Sequence, residues 1–142
     1  MSLQDYFRVI ITAVIFNSEG KILLGKRDRN DNILPNYWGI PGGKVELKGD
    51  LQNILEKELK REVMEEVGIK ITDLIYIESH YHKDSNKIHI CFLAKWLSGR
   101  PKALHDTEEI GWFNLEEIKT LKLTPHTLDR INIAVKYLSQ QK

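Results

Sequence analysis

Residues 53–69 spell out one helix with two opposed faces and a fixed end. Leu59, Val63 and Val67 recur at i,i+4 and give it an apolar stripe for packing. Gly68 is the stop, because a left-handed C′ position costs glycine little. At about 100° per residue, Glu58, Glu62, Glu65 and Glu66 share an arc of roughly 100°. Carboxylates four apart on a helix repel by a few tenths of a kcal/mol, and Glu62 and Glu66 are such a pair. A helix that was merely solvated would alternate signs, and the 21 Lys and Arg of this chain could supply the alternation. Hard divalent cations such as Mg²⁺ and Mn²⁺ instead want clustered carboxylate oxygens. The stripe is therefore read as a metal site.

The remaining bounds are ordinary. At 142 residues the chain is expected to be one domain spanning 1–142, able to bury a core without staples. A net charge of +1 marks it for neither a nucleic-acid polymer nor an anionic membrane. The single cysteine, Cys91, lies in an apolar strand-like run and has no partner for a disulfide or a zinc site. No 18-residue apolar run and no signal-peptide pattern occurs, so a cytoplasmic protein is expected.

Along the chain, Arg8 to Asn17 and Lys21 to Arg27 form a hairpin across Ser18-Glu19-Gly20. A polar loop covers Asp28 to Asn36, and Tyr37 to Gly43 is a short extended piece ending in a glycine turn. After the acidic helix come strands at Ile71–His80 and Lys87–Trp96, a short strand at Gly111 to Asn114 and a helical turn at Leu115–Leu121. Thr124-Pro125 is expected to start the last helix, threonine as cap and proline at the first position. Leu128, Ile131, Val135 and Leu138 mark that helix's inner face. The expected fold is an α/β sandwich with a mixed sheet.

Gly42-Gly43 can bring bare backbone close to a phosphate or metal, since no Cβ intrudes. Lys44 adds a cation, and Arg61 either bridges the glutamates and orients them or contacts substrate phosphate. These parts suit metal-assisted attack of water on a polyphosphate. Trp38 and Tyr37 fit packing as well as base stacking. Lys26-Arg27 is either a solvated strand end or a guide for phosphates. His80 and His82 share a strand face, and two surface histidines beside a turn is the plainer reading.

Gly43 and Arg61-Glu62-Val63-Met64-Glu65-Glu66-Val67-Gly68-Ile69 resemble the Nudix box, G-x5-E-x7-R-E-U-x-E-E-x-G-U with U apolar. Trp38 to Glu46 is similar to the strand-to-loop entry of MutT-like members, and Glu108 to Phe113 resembles the late strand. One departure stands out. Lys44 to Lys60 makes seventeen residues where the family has thirteen. Asn53 and Gly49 occupy the two registers of the box's first glutamate, leaving Glu46, Asp50 and Glu56 as candidates to replace it.

The resemblance implies a Nudix-type α/β/α sandwich in which Glu62, Glu65 and Glu66, with a carbonyl at Gly42 or Gly43, ligate Mg²⁺ or Mn²⁺. Catalytic roles fall to Arg61, to Glu65 and to the late Glu109, neighbour of Glu108; substrate binding falls to Trp38, Gly43 and Lys44. The substrate would be a nucleotide small molecule, and the family's frequent homodimers are allowed but not demanded. ADP-ribose members carry a proline about fifteen residues past the box, and dinucleoside polyphosphate members a tyrosine about sixteen to eighteen past it. Asp84 and Ser85 to Lys87 stand there instead. By default that leaves a MutT-like nucleoside triphosphate pyrophosphohydrolase, for which oxidised or non-standard nucleotides are candidate substrates. The rival is a Nudix-shaped sensor that binds nucleotide or nucleotide sugar without turnover.

Overall fold

The computed structural model describes residues 6–46 and 51–141. β1 (Arg8–Phe16) is the strand on which the sheet is organised. It pairs parallel with β6 (Lys87–Ser98) along its whole length, and β6 pairs antiparallel with β5 (Lys70–His82). On its other edge β1 changes partner. Its end meets β2 (Ile22–Arg27) at Phe16↔Ile22, whereas Ile10 to Thr12 pair with β4 (Gly42–Lys44). β2 continues the sheet through β3 (Trp38–Gly39) and β7 (Thr107–Phe113). Where β1 leaves β2 for β4, the sheet opens, and a cleft forms between the two halves.

Side-chain alternation along the strands builds a core on each face. Ile11, Ala13 and Ile15 of β1, with Leu23, Phe92 and Ala94, pack against α1 (Ile54–Val67) through Leu59, Val63 and Val67. Val14, Ile22, Leu24, Cys91 and Leu93 face the other way, toward α2 (Leu115–Ile118) and α3 (Thr127–Gln140) through Ile118, Ile131 and Ala134. The result is the expected α/β/α sandwich on a mixed sheet. Among the described residues no helix is long and apolar enough to cross a membrane.

Several local expectations hold and several shift. Gly68 ends α1 with φ 75° and ψ 23°, its N–H bonded to Met64 O at 3.0 Å. Gly42-Gly43 is not a turn but the start of β4. It lies so near β1 that a Cβ on Gly42 would fall 2.6 Å from Thr12 Cα. β7 begins four residues before the expected Gly111, carried by its pairing to β2. α3 begins at Thr127 with His126 as its cap, not at Thr124-Pro125. Thr124 is engaged elsewhere: its N–H donates to Trp38 O at 2.8 Å and its hydroxyl meets Thr127 Oγ1 at 2.6 Å.

Leu59 is fully buried where α1 meets the sheet. Leu59→Ala is expected to destabilise the fold by about 2–5 kcal/mol, measured by denaturant unfolding.

Candidate active site

The opened sheet leaves a cleft of about 630 Å³. One wall is α1 and β4, carrying Gly42, Gly43, Glu46, Glu62, Glu65 and Glu66. The opposite side comes from β2 and the loops after it and before β7, with Lys26, Arg27, Asp31, His105 and Asp106. The rest of the lining includes Thr12, His82, His89, His126 and Arg130.

On the acidic wall, like charges are held together by one guanidinium. Arg61 donates from Nε to Glu58 Oε2 at 2.8 Å, from Nη2 to Glu62 Oε1 at 2.8 Å and from Nη1 to Glu65 Oε2 at 2.6 Å. Hydrogen bonding to Glu58 raises the Arg61 pKa above its ordinary value. Glu58 is buried, and its Oε1 also accepts the Glu46 N–H at 2.7 Å. One carboxylate thus ties the arginine to the loop entering the helix.

Gly43 lets Glu62 lie against the backbone, since a Cβ there would sit 2.6 Å from Glu62 Cδ. Burial pushes the Glu62 carboxyl up, and the charges of Glu65 and Glu46 add to this against the pull of Arg61. Glu66 is pushed further, to about 7, by burial above all. A hydrogen bond from the Gly42 N–H works against the rise, and the Glu62 and Asp106 charges reinforce it. Burial therefore makes the charged form of this carboxyl costly, a cost that a cation bound beside it would offset.

Across the cleft, Arg27 donates to Asp31 Oδ2 at 2.8 Å. Asp31 sits below its usual range, chiefly because it accepts the Ile33 N–H. Arg130 is 4% exposed and donates from Nε to Glu78 Oε1 at 2.7 Å. Among the described residues, Arg27 Nε and Arg130 Nη2 are the buried side-chain polar atoms left without a partner. The His89 Nε2 lies 2.8 Å from the Thr12 hydroxyl, and burial together with Arg130 lowers its pKa to about 3. Burial and the neighbouring His80 and His126 also lower His82.

Of the residues singled out from sequence, Gly42, Gly43, Glu62, Glu65 and Glu66 come together on one wall. Arg61 stands behind them. Trp38 does not line the cleft; its ring packs edge-on against Phe113 at 5.2 Å. Lys44 is exposed and outside the cleft lining. Glu109 is also off the wall, with Lys26 Nζ 3.7 Å away. Of the candidates for the missing first glutamate, Glu46 reaches the cleft, Glu56 does not, and Asp50 lies outside the described residues.

Sequence reading passed over Arg130, His89, Asp31 and Asp106, which come from four separate segments. None carried a local signal.

Residues 6–133 match the family model described as NUDIX domain. The chain is 35% identical over 111 residues to the 8-oxo-dGTP diphosphatase of Buchnera aphidicola, covering 72% of this chain and 85% of that protein. It is 31% identical over 119 residues to the CTP pyrophosphohydrolase of Escherichia coli, covering 81% and 82%. The crystal structure of a MutT NUDIX hydrolase from Burkholderia pseudomallei superposes with a TM-score of 0.74 at 29% identity, covering 89% of this chain and 97% of that one. With the box residues gathered on one wall of the cleft and these likenesses spanning most of its length, the chain belongs to the Nudix hydrolase family as a MutT-like pyrophosphohydrolase.

Proposed function

We propose that this chain hydrolyses the diphosphate linkage of a nucleoside triphosphate, or of a related nucleoside diphosphate derivative, with Mg²⁺ or Mn²⁺ as cofactor. The observation that carries the reading is the convergence of Glu62, Glu65 and Glu66 with the bare backbone of Gly42-Gly43 on one cleft wall. The donor set suits a hard cation: three carboxylates, one with its pKa raised to about 7, beside main-chain carbonyls. Glu62, Glu65 and Glu66, with a carbonyl of Gly42 or Gly43, would hold the ion. Bound there, it would neutralise phosphate charge and lower the pKa of an attacking water.

The protein's own groups do the rest. Arg61 and Glu58 fix the carboxylates in register, the orienting role open to Arg61 from its sequence position. Glu65, whose side chain is 49% exposed and near His105, would accept a proton from water through the oxygen not bonded to Arg61. A late-loop acceptor is better supplied by Asp106, which lines the cleft, than by Glu109, which sits beside Lys26. Arg27 Nε offers an unpaired donor for phosphate oxygens, and Arg130 Nη2 offers a second donor elsewhere in the cleft lining. Packing of Trp38 on Phe113 favours a structural role for that ring.

A nucleoside triphosphate substrate is supported by the absent ADP-ribose and dinucleoside markers, and the 8-oxo-dGTP and CTP activities named for the Buchnera and E. coli relatives support testing oxidised and ordinary bases alike. Such a substrate fits the cytoplasmic location expected from the sequence.

Two measurements test this. Pyrophosphate release should be assayed across ordinary and oxidised nucleoside triphosphates, ADP-ribose and dinucleoside polyphosphates. At least one triphosphate is expected to give the monophosphate plus pyrophosphate. That turnover should be lost in chelator and fall by orders of magnitude in Glu65→Gln at unchanged melting temperature. If nothing turns over while nucleotides still raise the melting temperature, the protein is a sensor and the proposal fails. Separately, Glu58→Gln is expected to lower kcat about 10- to 100-fold in a folded protein, as loss of an outer-shell partner does. Unchanged kcat would remove Glu58 from the site's support.

A further inference from the structure

At the end of the cleft away from the glutamates, three histidines meet. His80 and His82 lie on one face at the end of β5, and His126 arrives from the cap of α3. Their ring centroids are 4.5 Å apart for His80 and His82, 4.8 Å for His80 and His126, and 5.6 Å for His82 and His126. One ring nitrogen from each lies within 4.8 Å of the other two. From this geometry we infer a second, chemically distinct cation site, a tris-imidazole site for a borderline transition metal of the Zn²⁺, Co²⁺ or Ni²⁺ class.

The backbone holds His126 in place independently of any contact among the rings. Thr124 is bound to Trp38 O and to the Thr127 hydroxyl, and His126 adopts φ 68° and ψ −4°, a left-handed conformation uncommon for a residue with a side chain. The segment is thereby turned so that its ring joins two on a strand more than forty residues earlier.

Imidazole nitrogen suits zinc, cobalt, nickel and copper, whereas magnesium prefers oxygen. The two ends of the cleft therefore select different ions. Ligation at about 2.0–2.1 Å requires the nitrogens to close in from their present spacing. His80 and His126 are exposed and His82 only partly buried, so the rings have room to swing. Arg130 and Lys87 are cations near His82, and Glu78 offsets the Arg130 charge at 2.7 Å. His89 is committed to Thr12 and is not counted as a ligand. Three protein ligands leave a coordination position for water or a ligand oxygen. Because His82 and His126 line the cleft, that position is available to a molecule bound in it.

The site stands apart from the proposed hydrolysis and can be tested without it. Co²⁺ is titrated into protein free of any affinity tag and carrying Glu65→Gln and Glu66→Gln, so that the carboxylate wall is disabled. Saturable 1:1 binding with visible absorption of four- or five-coordinate cobalt is expected, undisturbed by millimolar Mg²⁺. His80→Ala should weaken it at least about tenfold without lowering the metal-free melting temperature. His126→Ala should do the same, and if that variant fails to fold, His80→Ala and His82→Ala decide. Absence of saturable binding, or binding indifferent to these substitutions, would overturn the proposal and leave the hydrolytic reading untouched.

Discussion

The ion-pair array around Arg61 is the interaction on which the site depends. Glu58, Glu62 and Glu65 rise from successive turns of one helix, and a single planar guanidinium bonds to all three. Without it their charges would drive the side chains apart. Glu58 does more than share the charge, because its second oxygen holds the Glu46 N–H and so anchors the chain just before the lengthened loop. The family's box places a glutamate in that loop. Here the sequence spacing is longer and the residue in register is not acidic; the buried carboxylate that holds the arginine is Glu58, from inside the helix.

The sheet provides the space. β1 passes from β2 to β4 as it runs back toward its start, and the gap between those partners is the cleft. Glycine is required where the walls approach most closely: Gly42 against β1, and Gly43 against the Glu62 side chain. A helix face rich in carboxylate then borders the gap, and burial there drives Glu66 toward neutrality. The fold thus gathers carboxylates at the border of an open cleft, with burial opposing the charged form of Glu66.

What could be read from the sequence was what is local. The stripe of glutamates, the opposite Leu59-Val63-Val67 face and the Gly68 stop all follow from a period of 3.6 and one left-handed residue, and the helix is found between the expected limits. The β5–β6 pair was likewise visible as two apolar runs about a polar turn. Glycine-glycine read as a turn because glycine favours turns, while here its use is a close strand approach. Thr124-Pro125 looked like a cap, but its threonine is drawn to β3 and the helix waits for His126. The site's remaining members, Arg130, His89, Asp31 and Asp106, depend on contacts between distant segments, which periodicity cannot carry. Glu58 was visible on the acidic arc; its burial and its bond to the Glu46 amide were not.

The central claim is that the acidic wall is a divalent-cation site assembled from Glu62, Glu65 and Glu66. Electron paramagnetic resonance titration with Mn²⁺ tests it most directly, since free and bound Mn²⁺ differ in signal and no substrate is needed. Competition by Mg²⁺ at a saturable site is expected, with binding lost in Glu66→Gln and kept in Glu109→Gln. Manganese binding that persists unchanged in Glu66→Gln would contradict the account.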